Sequence, residues 1–322
     1  MASHSLICFG TYYKYLSKYQ SSVDEVSSKI VKFANGEISV SFNQSLRGKH
    51  LFIFGETSCN LTELLLTIDA AQRSSVEEIT IVMPYYGYSR QDKREGNRGS
   101  LGGSMIAQVL QSMGIHRIVT IDIHAEQIQG FFRGIPFEHV NGKSIFIKDS
   151  KSFLLTMADS FDIDTEKKDE WKIVTPDSGG SNRARRFSTA LEIPLVVIHK
   201  HRDKPGSVES MELYGDVKDK HLIIVDDMAD SCGTLKKASE VLKECGAKSV
   251  IALATHPVLS SKAKLNLETS TLDGIILSDT LDREEFLSNL HFKHKTIPCM
   301  EVLNEVIYNI SVAKSVSKFT NF

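Results

Sequence analysis

The run LIIVDDMADSCGT, Leu222 to Thr234, is the stretch from which the fold is read. Leu222 to Val225 are aliphatic, with β-branched residues among them, the composition of a strand buried on both faces. Two adjacent carboxylates follow, Asp226 and Asp227. Asp230, Ser231, Cys232, Gly233 and Thr234 come next, and from Leu235 the pattern turns helical. Strand, polar loop and helix N-terminus, in that order, form the ligand-binding end of an open α/β sheet. The backbone N–H groups of Ser231 to Thr234 can converge on one anion, with the two hydroxyls as further donors. The helix dipole contributes about 0.3–1 kcal/mol. Each hydrogen bond to a charged phosphate contributes about 1.5–3 kcal/mol, so the donors dominate. The carboxylates repel a phosphate and suit neutral hydroxyls or a bound cation. A phosphate at one end and a diol a few atoms away describes a ribose 5-phosphate unit. Acids beside a Gly-Thr pair also occur in βα turns that bind nothing, and the shape alone does not separate the two readings.

The residues go further than the shape. The segment resembles the ribose-phosphate loop of the type I phosphoribosyltransferase fold. It is most similar to the version in the ribose-phosphate pyrophosphokinase (PRPP synthetase) family, class I-like, where VDDM is followed by Asp-Thr and Gly-Thr. Ser231 stands where Thr is usual, which keeps the hydroxyl. Four further motifs resemble the family in its own order: Arg90-Gln91-Asp92-Lys93 after PYYGYS, DIHAEQIQGFF from Asp122 to Phe132, Pro176-Asp177 before Gly179-Gly180, and Lys200 with Arg202 in HKHRDKPGS. The chain departs from the pattern at Glu56 to Asn60, which is shorter, at Ser100 to Ser104, which lacks a Lys, and at Arg133-Gly134.

The resemblance implies two similar phosphoribosyltransferase-like α/β domains, each a mostly parallel sheet flanked by helices. It implies transfer of the diphosphoryl group of ATP to the C1 hydroxyl of ribose 5-phosphate, with magnesium. Asp226, Asp227, Asp230, Ser231, Cys232, Gly233 and Thr234 would hold the sugar phosphate, the first two directly or through a cation. Asp122, His124 and Asp177 would hold magnesium. Lys200, Arg202 and His124 would be catalytic. Arg90, Gln91, Lys93 and His124 would meet ATP, joined by Phe33, Asn35 and Glu37 from a neighbouring subunit. Gln129, Ser315 and Ser317 match a segment tied to allosteric phosphate or ADP. The implied assembly is a homo-oligomer, dimers building a hexamer, or a hetero-oligomer with related subunits.

Several of these positions also have a plain local reading. Asn35-Gly36 is a turn signal between the alternating strand patterns of a hairpin, and turn chemistry alone explains Phe33, Asn35 and Glu37. A charged, Gly-rich loop such as Arg90 to Gly103 is usually just solvated; its place after the buried Ile79 to Met83 strand favours anion capture. Asp122 and His124, two apart in a strand, would share a face and reach one cation. Lys200 and Arg202 share a face in the same way. Cys232 reads as a small filler rather than a nucleophile.

Composition narrows the class. With 322 residues, 41% hydrophobic and 24% charged, the chain can build two ordinary cores. A net charge of -2 argues against a dedicated nucleic-acid binder. Five cysteines with no CxxC spacing fit a reducing compartment without a disulfide framework or zinc site. No signal peptide or membrane-length apolar run is visible, which leads to a cytoplasmic expectation. Helices are expected at Tyr12–Gln20, Thr62–Arg73, Met105–Met113, Asn182–Leu191, Leu235–Glu244 and Met300–Ile310, with a polar helical stretch from Lys148 to Glu170. Thr62 to Tyr85 and Thr234 to Pro257 repeat the same helix, turn and strand pattern. The boundaries expected are 1–143 for the first domain and 144–299 for the second, with 300–322 packing back on the first. Two rival functions share the loop: a PRPP-consuming phosphoribosyltransferase and a non-catalytic regulatory paralogue.

Overall fold

The structure is a computed structural model that describes residues 5–10, 15, 23–58, 60–94, 98–164, 167–177, 179–201 and 210–320. The chain divides into two compact units, residues 1–141 with 299–322, and residues 142–298.

The first unit contains β1 (Ser5–Cys8), β2 (Asp24–Glu25), β3 (Ser28–Lys32), β4 (Ile38–Phe42), β5 (His50–Phe54), α1 (Leu61–Arg73), β6 (Glu78–Met83), α2 (Gly102–Ser112), β7 (Arg117–Ile121) and β8 (Phe137–Val140). Its sheet has the order β2-β1-β5-β6-β7-β8 and is parallel throughout, while β3 and β4 form a separate antiparallel hairpin. The second unit contains α3 (Lys143–Phe146), α4 (Ser150–Phe161), β9 (Trp171–Thr175), α5 (Ser181–Leu191), β10 (Leu195–His201), β11 (Ser210–Tyr214), β12 (His221–Ala229), α6 (Gly233–Glu244), β13 (Ser249–Pro257), α7 (Ala263–Glu268), β14 (Gly274–Ser278), α8 (Glu284–Ser288) and β15 (His294–Ile297). The order is β11-β10-β9-β12-β13-β14-β15, parallel except for the antiparallel edge strand β11. Helices α9 (Met300–Ser311) and α10 (Ser317–Thr320) belong to the first unit, where the Asn141 N–H donates to the Phe319 carbonyl at 2.8 Å.

The central strands are buried along almost their whole length, because crossover helices cover parallel sheets on both faces. Each unit has its own core. Ile53, Ile79, Ile81 and Ile118 meet Leu64, Ile68 and Leu110 in the first. Leu222, Ile224, Val250 and Ile275 meet Leu235, Ala238 and Leu242 in the second. The Lys148–Glu170 stretch is less polar than its composition suggests, since α4 buries Phe153, Leu154, Met157 and Phe161 at helical spacing. At Gly274 α4 lies close on the sheet: a Cβ there would overlap the Phe161 ring. The Tyr12–Gln20 helix falls outside the described residues except for Tyr15.

The internal repeat is a repeat of topology. Leaving out β11, the order β10-β9-β12-β13-β14-β15 matches β2-β1-β5-β6-β7-β8. Lys49-His50-Leu51 opens β5 as Lys220-His221-Leu222 opens β12. Both histidines bond a hydroxyl on the neighbouring strand: His50 Nε2 lies 2.8 Å from Thr80 Oγ1, and His221 Nδ1 lies 2.7 Å from Ser249 Oγ. Burial lowers both pKa values, that of His50 from 6.5 to about 4 against the pull of Glu78, with Arg117 and His116 acting in the same direction as burial. A lowered histidine binds fewer protons folded than unfolded. Its contribution is intact above pH 6.5 and is lost as pH falls toward 4. For His50 the loss reaches about 2 kcal/mol by pH 5. His50→Gln should therefore remove that part of the acid sensitivity, measured as urea midpoints by circular dichroism at pH 7.5 and pH 5. An unchanged midpoint difference between the two pH values would refute it.

Candidate functional site

In the second unit, β9 connects through α5 to β10 on one side, and β12 connects through α6 to β13 on the other. The chain order reverses between β9 and β12, so a crevice opens beyond their carboxyl ends. The β9–β12 ladder stops at Val174↔Ile224, while β12 continues beside β13 to Ala229↔Pro257. This corrects the expectation that the strand ends at Val225. Asp226 and Asp227 lie within β12, and their side chains interact with each other. Asp227 is buried and pairs with the half-buried Arg183 of α5 at 3.9 Å. Asp226 is half-buried, and its Oδ1 accepts the Asp227 N–H at 2.9 Å. Asp177 follows β9 on the other wall; its Oδ1 accepts the Gly180 N–H at 2.9 Å, and its carbonyl accepts the Thr175 hydroxyl at 2.7 Å.

Beyond Ala229 the turn is short. Asp230, Ser231 and Cys232 lead directly into α6, whose first turn carries no acid. Cys232 has φ +59, a left-handed conformation uncommon for a residue with a Cβ. Gly233 is not forced by crowding: a Cβ would meet Ser231 Oγ at 3.6 Å and Asn266 Nδ2 at 3.7 Å, both ordinary contacts. Its smallness leaves room for a ligand to approach the backbone. The Cys232 thiol is buried, and desolvation, with Asp230 and Asp226 adding to it, pushes its pKa to about 12. It stays protonated, as a filler would.

Burial, reinforced by the Asp227 carboxylate, pushes the Asp226 carboxyl well above its ordinary 3.8. The folded state thus binds a proton that the unfolded state has released. No penalty exists below pH 3.8, where both states are protonated, and it grows as pH rises toward the folded value. Asp226→Asn is expected to raise the melting temperature at pH 7 and to lose that advantage near pH 4. Each kcal/mol regained corresponds to about 2–4 °C in a domain of this size. The chain's one tryptophan, Trp171, is fully buried in β9, so its fluorescence reports this unit. An Asp226→Asn protein that melts no higher than wild type at pH 7 would contradict the reading.

At the equivalent place in the first unit, beyond β1 and β5, aromatic rings pack together. Phe9 stacks on Phe54 at 4.7 Å, and Tyr15 lies 5.7 Å from Phe54. Two other motifs of that unit do come together: Asp92 Oδ2 accepts from Gln127 Nε2 at 2.6 Å, tying the Arg90–Lys93 segment to the 3-10 turn Glu126–Phe131. Arg90, Gln91 and Lys93 are exposed, and Gln129 donates to the Glu126 carbonyl within its own turn. Gly102 and Gly103 are not part of a mobile loop. They are buried in the first turn of α2, where a Cβ on Gly102 would lie 2.4 Å from Gln91 Oε1. The expected shared face of Asp122 and His124 also fails. β7 ends at Ile121, Asp122 turns left-handed at φ +41 and is buried, and His124 is exposed.

At the hairpin tip, Asn35 Oδ1 accepts the Glu37 N–H at 3.1 Å, so Asn35 does turn work, while Phe33 is 50% exposed. Ser315 Oγ accepts the Ser317 N–H at 3.2 Å and opens α10. The backbone of Lys200 pairs with Met211 in the β10–β11 ladder, and Arg202 lies outside the described residues. Among the described residues no cluster of three or more His, Cys, Asp or Glu side chains could cage a metal. Magnesium needs few carboxylates when phosphate oxygens and water complete its shell, and Asp177 offers such an oxygen in the crevice.

Two residues went unread in the sequence. Arg183 carries a signal: a cation in the first turn of a helix opposes the dipole, so it is there for another reason. Asn266, whose Nδ2 donates to the Ser231 carbonyl at 2.7 Å, sits in α7 with no local pattern to betray it.

Fold and crevice together define a type I phosphoribosyltransferase-like protein, built from two parallel-sheet units of which the second carries the acid pair and the β12–α6 turn. Residues 15–114 match the N-terminal domain of ribose phosphate pyrophosphokinase, and residues 164–320 match the phosphoribosyl synthetase-associated domain. The chain is 40% identical to a ribose-phosphate pyrophosphokinase of Campylobacter jejuni over 304 residues, 92% of this chain and 93% of that one. It is 40% identical to ribose-phosphate pyrophosphokinase A of Dictyostelium discoideum over 291 residues, 89% and 87% of the two chains. The crystal structure of phosphoribosylpyrophosphate synthetase from Mycobacterium smegmatis superposes with a TM-score of 0.81 at 31% identity, covering 97% of this chain and 100% of that one. The chain belongs to the ribose-phosphate pyrophosphokinase family.

Proposed function

We propose that this protein is an enzyme that transfers the diphosphoryl group of ATP to the C1 hydroxyl of ribose 5-phosphate, giving PRPP and AMP for nucleotide biosynthesis. The observation that carries the reading is the β12–α6 turn: a carboxyl pair, a left-handed hinge and a helix N-terminus in one crevice, in a chain of this family. The O1 nucleophile attacks the β-phosphorus, the bond from the β-phosphorus to the α,β-bridging oxygen breaks, and AMP leaves. Such a reaction needs positioning and charge neutralisation more than covalent chemistry. The turn Asp230–Thr234 fixes the 5-phosphate. Asp226 and Asp227 meet the ribose hydroxyls. Lys200 and Arg202 would supply positive charge to the transferring phosphates. Asp177 would offer magnesium an oxygen, and the ion when bound would neutralise the polyphosphate.

The exposed Phe33 supports an oligomer in which the hairpin tip reaches the nucleotide of a neighbour. No helix among the described residues is long and apolar enough to cross a membrane, and a cytoplasmic enzyme fits that. The test is AMP release from ATP and magnesium with and without ribose 5-phosphate. Release that depends on the sugar supports the proposal. Consumption of PRPP with a base would reassign the chain to a phosphoribosyltransferase. Activity that appears only with a second, related subunit would make it a regulatory paralogue.

A further inference from the structure

The ribose-phosphate turn is held from behind. Three successive carbonyls accept hydrogen bonds from the segment that follows β13. The Leu259 N–H donates to the Ala229 carbonyl at 2.8 Å, the Ser260 N–H to the Asp230 carbonyl at 3.1 Å, and Asn266 Nδ2 to the Ser231 carbonyl at 2.7 Å. The fourth carbonyl, of Cys232, accepts the Lys236 N–H inside α6 at 3.0 Å. A trans peptide is planar, with the N–H of the next residue opposite the carbonyl. Fixing these four carbonyls therefore fixes the direction of the N–H groups of Asp230, Ser231, Cys232 and Gly233. Two of the donors behind the turn are backbone; Asn266 is the one side chain. It holds the Ser231–Cys232 peptide, next to the left-handed Cys232 and two peptides from the start of α6. A left-handed residue with a Cβ costs about 1–3 kcal/mol and persists only where its surroundings hold it.

We infer that Asn266 is a positioning residue for the 5-phosphate: it touches no substrate, and by gripping the Ser231 carbonyl it keeps the Cys232 N–H turned toward the ligand. The inference rests on the reading of this turn as the ribose 5-phosphate site. Without the grip, the Ser231–Cys232 peptide is free to rotate, and one preset donor must be ordered at the moment of binding. A tenfold loss of affinity, about 1.4 kcal/mol, is the expected cost of having to order that donor on binding. Asn266 is half-buried on a surface helix, so its removal leaves the two cores intact.

The experiment compares the full chain with Asn266→Ala and Asn266→Leu, the second close to the native side chain in size but without the donor. Both variants should raise KM for ribose 5-phosphate about tenfold, with KM for ATP and kcat nearly unchanged. The Cys232 amide should exchange hydrogen faster in both. An unchanged KM for ribose 5-phosphate would overturn the inference. So would an equal weakening of both substrates accompanied by a lower melting temperature, the mark of a merely structural residue. A wild-type chain that releases no AMP from ribose 5-phosphate and ATP would defeat the proposed function instead. Amide exchange at Cys232 would then still report whether Asn266 holds the turn.

Discussion

Alanine at Lys200 is expected to lower kcat by about 10²–10³, the usual cost of deleting one donor aimed at charge that develops in a transition state. Ribose 5-phosphate affinity should stay near wild type, because the site proposed for the sugar phosphate is the β12–α6 turn, at the other wall. The expectation has a topological basis. Lys200 lies near the carboxyl end of β10, next to β9, whose own end carries Asp177. β10 is covered outwardly only by the antiparallel edge strand β11, and the segment joining them carries Arg202. A cation there can approach a polyphosphate without belonging to the pentose site. Pre-steady-state AMP formation checks the chemical step and calorimetry checks the binding of ribose 5-phosphate. Undiminished turnover would remove Lys200 from the mechanism. A loss confined to sugar binding would move it to the other wall.

The β12–α6 region was legible because local pattern and global fold agree there: an aliphatic run, acids, then Gly-Thr opening an amphipathic helix. What the sequence hid was the length of the strand. Adjacent carboxylates look like loop, yet the wholly buried strand β13 draws Asp226 to Ala229 into its ladder, so tertiary pairing overrides propensity. The opposite happened at Asp122. Alternation placed it beside His124, and a single left-handed residue broke the alternation. Gly102 and Gly103 look like loop glycines, but they open α2, and the tight approach of Gln91 and Tyr88 supplies the reason for having no side chain there. The paired roles of His50 and His221 were written in the repeated Lys-His-Leu, but nothing in a sequence says that a histidine at a strand start will be buried. Asn266 is the limiting case. It acts through a carbonyl 35 positions away, and only the return of the chain after β13 brings the two together.

Leucine at Arg183 should destabilise the second unit by about 3 kcal/mol, the low end for stripping a buried carboxylate of its partner, since the pair is loose at 3.9 Å. In a domain of this size that lowers the melting temperature by roughly 6–12 °C, read from Trp171 fluorescence. The loss is larger than for an exposed ion pair because both side chains are almost wholly enclosed, Arg183 at 11% and Asp227 at 5% exposure. It also differs in sign from the effect at the adjacent position. Asn at Asp226 removes a carboxyl that must take up a proton on folding at pH 7 and stabilises; Leu at Arg183 removes a cation that compensates a buried carboxylate and destabilises. The two carboxyls are therefore not equivalent. Arg183 pairs with Asp227, and it also draws the Asp226 carboxyl down against the burial that raises it. The double variant Arg183→Leu with Asp227→Asn separates stability from function. With no uncompensated charge left, most of the stability should return. Ribose 5-phosphate affinity should not, because the carboxylate proposed to meet the ribose hydroxyls is gone. A single Arg183→Leu variant that melts with wild type would show that Asp227 needs no partner. Full recovery of sugar binding in the double variant would show that it is no ligand.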